Sequence, residues 1–289
     1  MNSVLILGAS GTVGGHLVRQ LADQHKSGTI RVVAAFRSDA AGQTLRDLGV
    51  ATARVDLDDP ASIASALQGI QTVFVLKPYD IRMLVHGKSV VDAAVKAAVR
   101  TIVNLGVLGP DDSNLPLVVW HQLIEAYAAR SGLGCVNLRP TFFMDALMGR
   151  VDFANGRVYN LTGDARVSWV AATDIARVAA NVIRDPSSHH GKTYPLATDV
   201  ASVPEIAAWL QQLTGTPFAP TPLAGDQAIE LMIKRGRQPD FARAVVEFGV
   251  AAGNIPSCRE EHANVQPLTG VAPTRFRDFL ADVVARRKE

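Results

Sequence analysis

The 289-residue sequence is short of cysteine, of net charge and of long apolar runs. Cys135 and Cys258 are its only cysteines. Two thiols in a chain this long make neither a disulfide framework nor a metal site, and a reducing cytoplasm is the simplest setting. Lys and Arg number 29 against 27 Asp and Glu, a net charge of +2 that gives no electrostatic case for nucleic acid or an anionic membrane surface. No apolar run approaches the roughly 20 residues needed to span a bilayer. The apolar stretch Val4–Leu7 is too short for a signal peptide and reads as a first strand.

What is present begins at that stretch. Val4-Leu5-Ile6-Leu7 stops at Gly8, further glycines follow at Gly11 and Gly14, and a helical pattern starts at His16-Leu17-Val18. Each glycine has a physical task. Gly8 lets the chain turn sharply off the strand. Gly11 clears the backbone amides for a pyrophosphate, and Gly14 lets helix and strand pack closely. Phosphates would sit on the free N–H groups at the positive end of the helix dipole, within reach of Ser10, Thr12 and Val13.

Strand and helix signals then alternate, as expected for a parallel sheet covered on both faces. Strands are predicted at Val4–Leu7, Arg31–Phe36, Ala51–Arg54, Thr72–Leu76, Thr101–Leu105 and Gly134–Leu138. Helices are predicted between them, with Asp59-Pro60 as one start signal and Ser131-Gly132 as one stop. The fold class is therefore α/β, a Rossmann-type doubly wound parallel sheet. Residues 1–140 are expected to form the dinucleotide-binding domain. Residues 141–289 are expected to form a smaller, mostly helical substrate lobe, with about 167–200 packing back on the sheet. Thr214–Gly225, rich in Thr, Pro and Gly, reads as a loop.

In such sheets ligands bind at the carboxyl ends of the strands. Arg37 follows strand two, where the adenosine ribose lies, and offers a cation to a 2′-phosphate. NADP(H) is therefore favoured, while Asp39 keeps NAD(H) in play. Asp56-Leu57, after strand three, could meet the adenine or simply cap a turn. Lys77, after strand four, could touch a phosphate, a ribose or a substrate oxyanion, or remain solvated. Pro78 and Tyr79 continue that edge. Gly106 and Val107 follow strand five, and Thr141, Phe142, Phe143 and Met144 follow strand six. Phe142 and Phe143 could wall a nicotinamide pocket or belong to the core. His121 and Glu125 lie four apart on one helix face, as a proton donor and its partner or as a structural pair. Nothing around them has metal spacing, and no metal is expected. His189-His190 reads as a solvated turn.

Taken together, these residues resemble the NmrA-like branch of the atypical short-chain dehydrogenase/reductase superfamily. The likeness runs through Gly8–Gly14, Arg37, Asp56-Leu57, His121-x-x-x-Glu125, Leu138-Arg139-Pro140, Phe143-Met144, Val170–Ala176 and Leu268-Thr269-Gly270. The branch holds NAD(P)H quinone reductases, triphenylmethane reductases, festuclavine-type dehydrogenases and dinucleotide-binding regulators. Conventional members of the superfamily use a Tyr-x-x-x-Lys pair, whose two places His121 and Glu125 take here. Gly106 or Val107 stands where a serine often follows strand five. The resemblance implies a reductase of a small aromatic or conjugated acceptor of quinone, iminium or enone type. Hydride would pass into a pocket near Lys77-Pro78, Gly106-Val107 and Thr141–Phe143. A non-catalytic NADP-binding sensor and an accessory oxidoreductase of aromatic natural-product assembly are the alternatives. Monomer and homodimer both stay open.

Overall fold

A computed structural model describes residues 2–76 and 82–287. The chain forms two compact units. One comprises Met1–Gly106, Trp120–Arg139 and Ile175–Tyr194, the other Val107–Val119, Pro140–Asp174 and Pro195–Glu289. One crossing falls between Arg139 and Pro140, but 107–119 and 175–194 are also exchanged, so no single cut separates the units.

The first unit is built on the predicted alternation: β1 (Asn2–Ile6), α1 (Thr12–Lys26), β2 (Ile30–Phe36), α2 (Asp39–Arg46), β3 (Ala51–Arg54), α3 (Pro60–Ala66), β4 (Thr72–Val75), α4 (Met83–Lys96), β5 (Thr101–Leu105), α5 (Pro116–Ala129) and β6 (Gly134–Pro140). The strand order is β3-β2-β1-β4-β5-β6, and every neighbouring pair is parallel. The winding reverses between β1 and β4, which is where such sheets leave a crevice for a ligand. Helices cover both faces, so β1, β4 and β5 are buried throughout or nearly so, as their largely apolar composition requires. Val4, Leu5 and Ile6 are wholly buried, each contributing about 1.5–3 kcal/mol relative to exposure.

Beyond β6 come β7 (Phe142–Phe143), α6 (Met144–Met148), β8 (Val151–Asp152), β9 (Arg157–Asn160), β10 (Val167–Val170), α7 (Ala172–Arg184), β11 (Thr193–Leu196) and β12 (Asp199–Ala201). The chain continues through α8 (Val203–Thr214), β13 (Ala219–Pro222), α9 (Gly225–Lys234), α10 (Pro239–Ala251), α11 (Val265–Thr269) and α12 (Phe276–Arg286). β11 extends the large sheet as a seventh strand beside β6. Bonds from Asn137 N to Lys192 O (3.0 Å) and from Thr141 N to Leu196 O (3.1 Å) advance together along both chains, so this pair is parallel too.

The second unit adds two three-stranded sheets, β12-β10-β7 and β13-β9-β8, to its helices. β13 corrects the expectation of a plain loop over Thr214–Gly225. It pairs with β9 alone, at a sheet edge, where prolines at 220 and 222 are tolerated because one side of the strand needs no N–H donors. An aromatic cluster holds this unit. Trp169 packs on Phe142 (5.5 Å between ring centroids) and edge-on to Phe276 (5.2 Å, 89°). Asp174, wholly buried, accepts from Thr274 N at 2.7 Å and Oγ1 at 3.2 Å, pinning the segment before α12. Among the described residues no helix is long and apolar enough to cross a membrane.

Candidate active site

The β1–α1 turn is shaped as its glycines require. Gly8 has φ +71°, a left-handed conformation that costs a glycine nothing. A Cβ on Gly14 would lie 2.7 Å from Gly8 C, 2.8 Å from Ala9 Cα and closer still to Gly8 O. Gly11 is the N-cap of α1; it has no side chain to satisfy the first-turn amides, and that turn carries no acidic residue. An uncapped helix start with exposed amides suits an anion. Ser10, Gly11 and Thr12 are exposed there, whereas Val13 and Gly14 are buried, so Val13 can offer only its backbone. A hollow of about 410 Å³ opens beside the turn, bordered by Ser10, Gly11, Thr12, His16, Arg19 and the α2 residues Ala41, Thr44 and Leu45. These residues fit a dinucleotide pyrophosphate. Arg19 escaped sequence reading. Its signal was there: seven residues past Thr12 is two helical turns, hence the same face of α1.

At the adenosine end Arg37 is exposed and has no partner among the described residues. Asp39 pairs with Arg54 at 3.3 Å, both side chains being largely exposed, and Ser38 caps α2 through Ala41 N. This leaves Arg37 as the free charge at the strand end. Asp56 is exposed and folded into the β3–α3 turn, its Oδ1 accepting from Asp58 N at 3.0 Å, while Leu57 packs against the core. Asp58 in turn meets His86 Nε2 at 2.6 Å and Arg82 at 2.7 Å, which hold its carboxyl below the usual range, the histidine bond first. Lys77, Pro78 and Tyr79 lie outside the described residues.

The α5 pair separates into two environments. His121 and Glu125 are both buried, at 2% and 5% exposure. Glu125 Oε2 accepts from Arg139 Nε at 3.0 Å and Nη2 at 2.6 Å, a two-pronged ion pair between α5 and the end of β6. The Arg139 side chain is only 18% exposed. A Cβ on Gly106 would stand 2.5 Å from Glu125 Oε1, so this carboxylate fills the space that a serine side chain would need. Glu125 thereby ties α5 to the end of β6 through Arg139. The local sequence Leu138-Arg139-Pro140 does not reveal the role of Arg139, whose partner lies 14 residues away on another element.

In the second unit Val107 is half-buried. Thr141 is buried and donates its hydroxyl to Leu196 O at 3.4 Å, which ties it to β11. Phe142 stacks with Trp169 and, at 5.2 Å, with Phe248, so one face of its ring serves packing; Phe143 is half-buried. His189 and His190 are not merely solvated, since Nδ1 of His189 meets the Tyr194 hydroxyl at 2.7 Å and Nε2 of His190 meets Thr101 Oγ1 at 2.9 Å. Cys135 and Cys258 are buried and free, and burial pushes the Cys258 thiol up to about 11, so it is not a nucleophile.

A doubly wound sheet with a glycine cradle at β1–α1 and an unpaired arginine after β2 defines a dinucleotide-binding protein of the Rossmann class. The chain belongs to the NmrA-like family, whose model matches residues 1–273. It is 29% identical over 249 residues to the NAD(P)H azoreductase of Xenophilus azovorans, covering 85% of each chain. It is 28% identical over 254 residues to quinone oxidoreductase 2 of Escherichia coli, covering 86% of this chain and 83% of that one. The crystal structure of Citrobacter sp. triphenylmethane reductase complexed with NADP(H) superposes with a TM-score of 0.82 at 21% identity, over 97% of this chain and 99% of that one.

Proposed function

We propose that this protein is an NAD(P)H-dependent reductase that delivers hydride to a small aromatic or conjugated acceptor, of the quinone, azo, iminium or enone type. The observation that carries this reading is the Glu125–Arg139 pair packed over Gly106. It takes the space of the serine and the place of the lysine used in alcohol–carbonyl interconversion. The acceptor must then be one that takes hydride readily, with the protein supplying orientation and exclusion of water. The names borne by the azo, quinone and dye reductases among the relatives support this substrate class.

The reduced nicotinamide supplies the hydride when bound. The chain's own residues do the rest. Gly8, Ser10, Gly11, Thr12 and Val13 grip the pyrophosphate through backbone amides and hydroxyls, Gly14 permits the close approach, and Arg37 neutralises the 2′-phosphate. Asp56 and Leu57 border the adenine side, and Gly106 the nicotinamide side. Val107, Phe142 and Phe143 offer apolar surface to the acceptor. His121, fixed in α5 one turn before the anchored Glu125, is the proton donor.

Incubation with NADPH and a panel of quinones, azo dyes, iminium compounds and enones should consume NADPH absorbance with at least one class. Tight NADPH binding without turnover across the panel would favour the sensor reading, which the missing tyrosine and lysine also support. His121→Phe keeps the bulk of the ring and should lower kcat about 10²-fold with KM for NADPH unchanged. An unaltered kcat would remove His121 from the chemistry. Arg37→Ala should raise KM for NADPH about tenfold and leave NADH unaffected, because only NADPH loses a charge-assisted contact worth roughly 1.4 kcal/mol. Equal losses with both cofactors would place Arg37 elsewhere.

A further inference from the structure

The second unit contains a hollow of its own, apart from the glycine cradle. It measures about 420 Å³ and is bordered by Arg150, Asp152, Phe153, Tyr159, Arg235 and Arg287. It shares no residue with the hollow beside α1. Three guanidinium groups thus meet one carboxylate, and that carboxylate is already engaged. Asp152 Oδ1 accepts from Ala154 N and Asn155 N at 3.1 Å each, and Oδ2 accepts from Asn155 Nδ2 at 2.8 Å. Its charge is absorbed within its own turn.

The three arginines are held in different ways. Arg287 sits over Phe153, its guanidinium carbon 3.9 Å from the ring centroid. Arg235 donates to Gly149 O at 2.8 Å, which fixes one prong of its fork and leaves the others. Arg150 is half-buried, yet its side chain has neither an ion-pair partner nor a hydrogen bond among the described residues. Burial alone pulls its pKa down to about 10. A partly desolvated cation without a counter-ion is unfavourable, and an anion entering the hollow would relieve it.

We propose that this hollow is a binding site for the phosphate group of a small phosphate monoester. Convergent guanidinium forks match the charge and the several acceptor oxygens of a phosphate better than the single negative charge of a carboxylate. Phe153 and Tyr159 offer apolar surface to the organic part of the ester.

The test is calorimetric titration of the full chain, preloaded with one equivalent of NADPH so that the glycine cradle is filled. The probes are phenyl phosphate, inorganic phosphate and benzoate. Phenyl phosphate should bind saturably at one site, inorganic phosphate more weakly, and benzoate at least tenfold more weakly still. Arg150→Gln and Arg235→Ala should each weaken phenyl phosphate at least tenfold. Arg235 is exposed, so its variant reports on the site even if Arg150→Gln folds poorly. Heats that do not saturate, or that are unchanged in Arg235→Ala, would overturn the site. Benzoate binding as tight as phenyl phosphate would overturn the phosphate assignment.

Discussion

A Gly14→Ala variant loses NADPH binding, and its folded state is weakened by about 3 kcal/mol or more. The reason is geometric. The new methyl carbon would sit 2.7 Å from Gly8 C and 2.8 Å from Ala9 Cα, with the Gly8 carbonyl oxygen nearer still. These are backbone atoms, so no rotamer change relieves the overlap. Either α1 moves off β1, or the Gly8 peptide turns. Both responses displace the N-terminal amides of α1 that face the hollow. Leu17, Val18 and Leu21, wholly buried along α1, oppose the first response. Urea unfolding and NADPH fluorescence titration read the two consequences separately. A variant as stable as the parent, with NADPH affinity intact, would show that the close approach is not needed. The spacing of Gly8, Gly11 and Gly14 would then carry no information about the cofactor.

The second large effect concerns Arg139. Arg139→Met removes both prongs from Glu125 and leaves a carboxylate 5% exposed with no donor among the described residues on either oxygen. Breaking a buried pair from one side typically costs about 3–5 kcal/mol, because the remaining charge is uncompensated. The double variant Glu125→Gln/Arg139→Met removes the charge as well and should recover most of that loss. Denaturant melts of the parent, the two single variants and the double variant form a cycle. A coupling near zero would mean that the pair is held apart by solvent and does not anchor α5 to β6. A large coupling with retained turnover in Glu125→Gln would confirm that Glu125 acts through position rather than through proton transfer.

Much of the first unit was legible because its signals are local. A strand, a turn and a helix start fit between Val4 and Leu17, and each glycine's task depends on atoms a few residues away. Asp59-Pro60 marks the start of α3 in the same local way, with Asp59 Oδ1 accepting from Ala61 N at 3.0 Å. The second unit was less legible. β13 contains two prolines and no alternation, and only its partner β9 makes it a strand. Phe142 could be read as pocket wall or as core, and its neighbours Trp169 and Phe248 lie 27 and 106 positions further along the chain.

The candidate site divides along the same line. The sequence alone determined that a strand, a glycine turn and a helix start follow one another at β1–α1 in a form suited to a dinucleotide, and that a cation stands after β2, since both follow from short-range spacing. Only the tertiary structure decided that Asp39 is taken up by Arg54, leaving Arg37 free, and that Glu125 belongs to Arg139. Helical periodicity places His121 and Glu125 on one face of α5. It cannot say which strand end that face meets. That is set by the packing of α5 against the sheet, where a buried carboxylate must find the nearest guanidinium, and Gly106 is the residue that leaves it room.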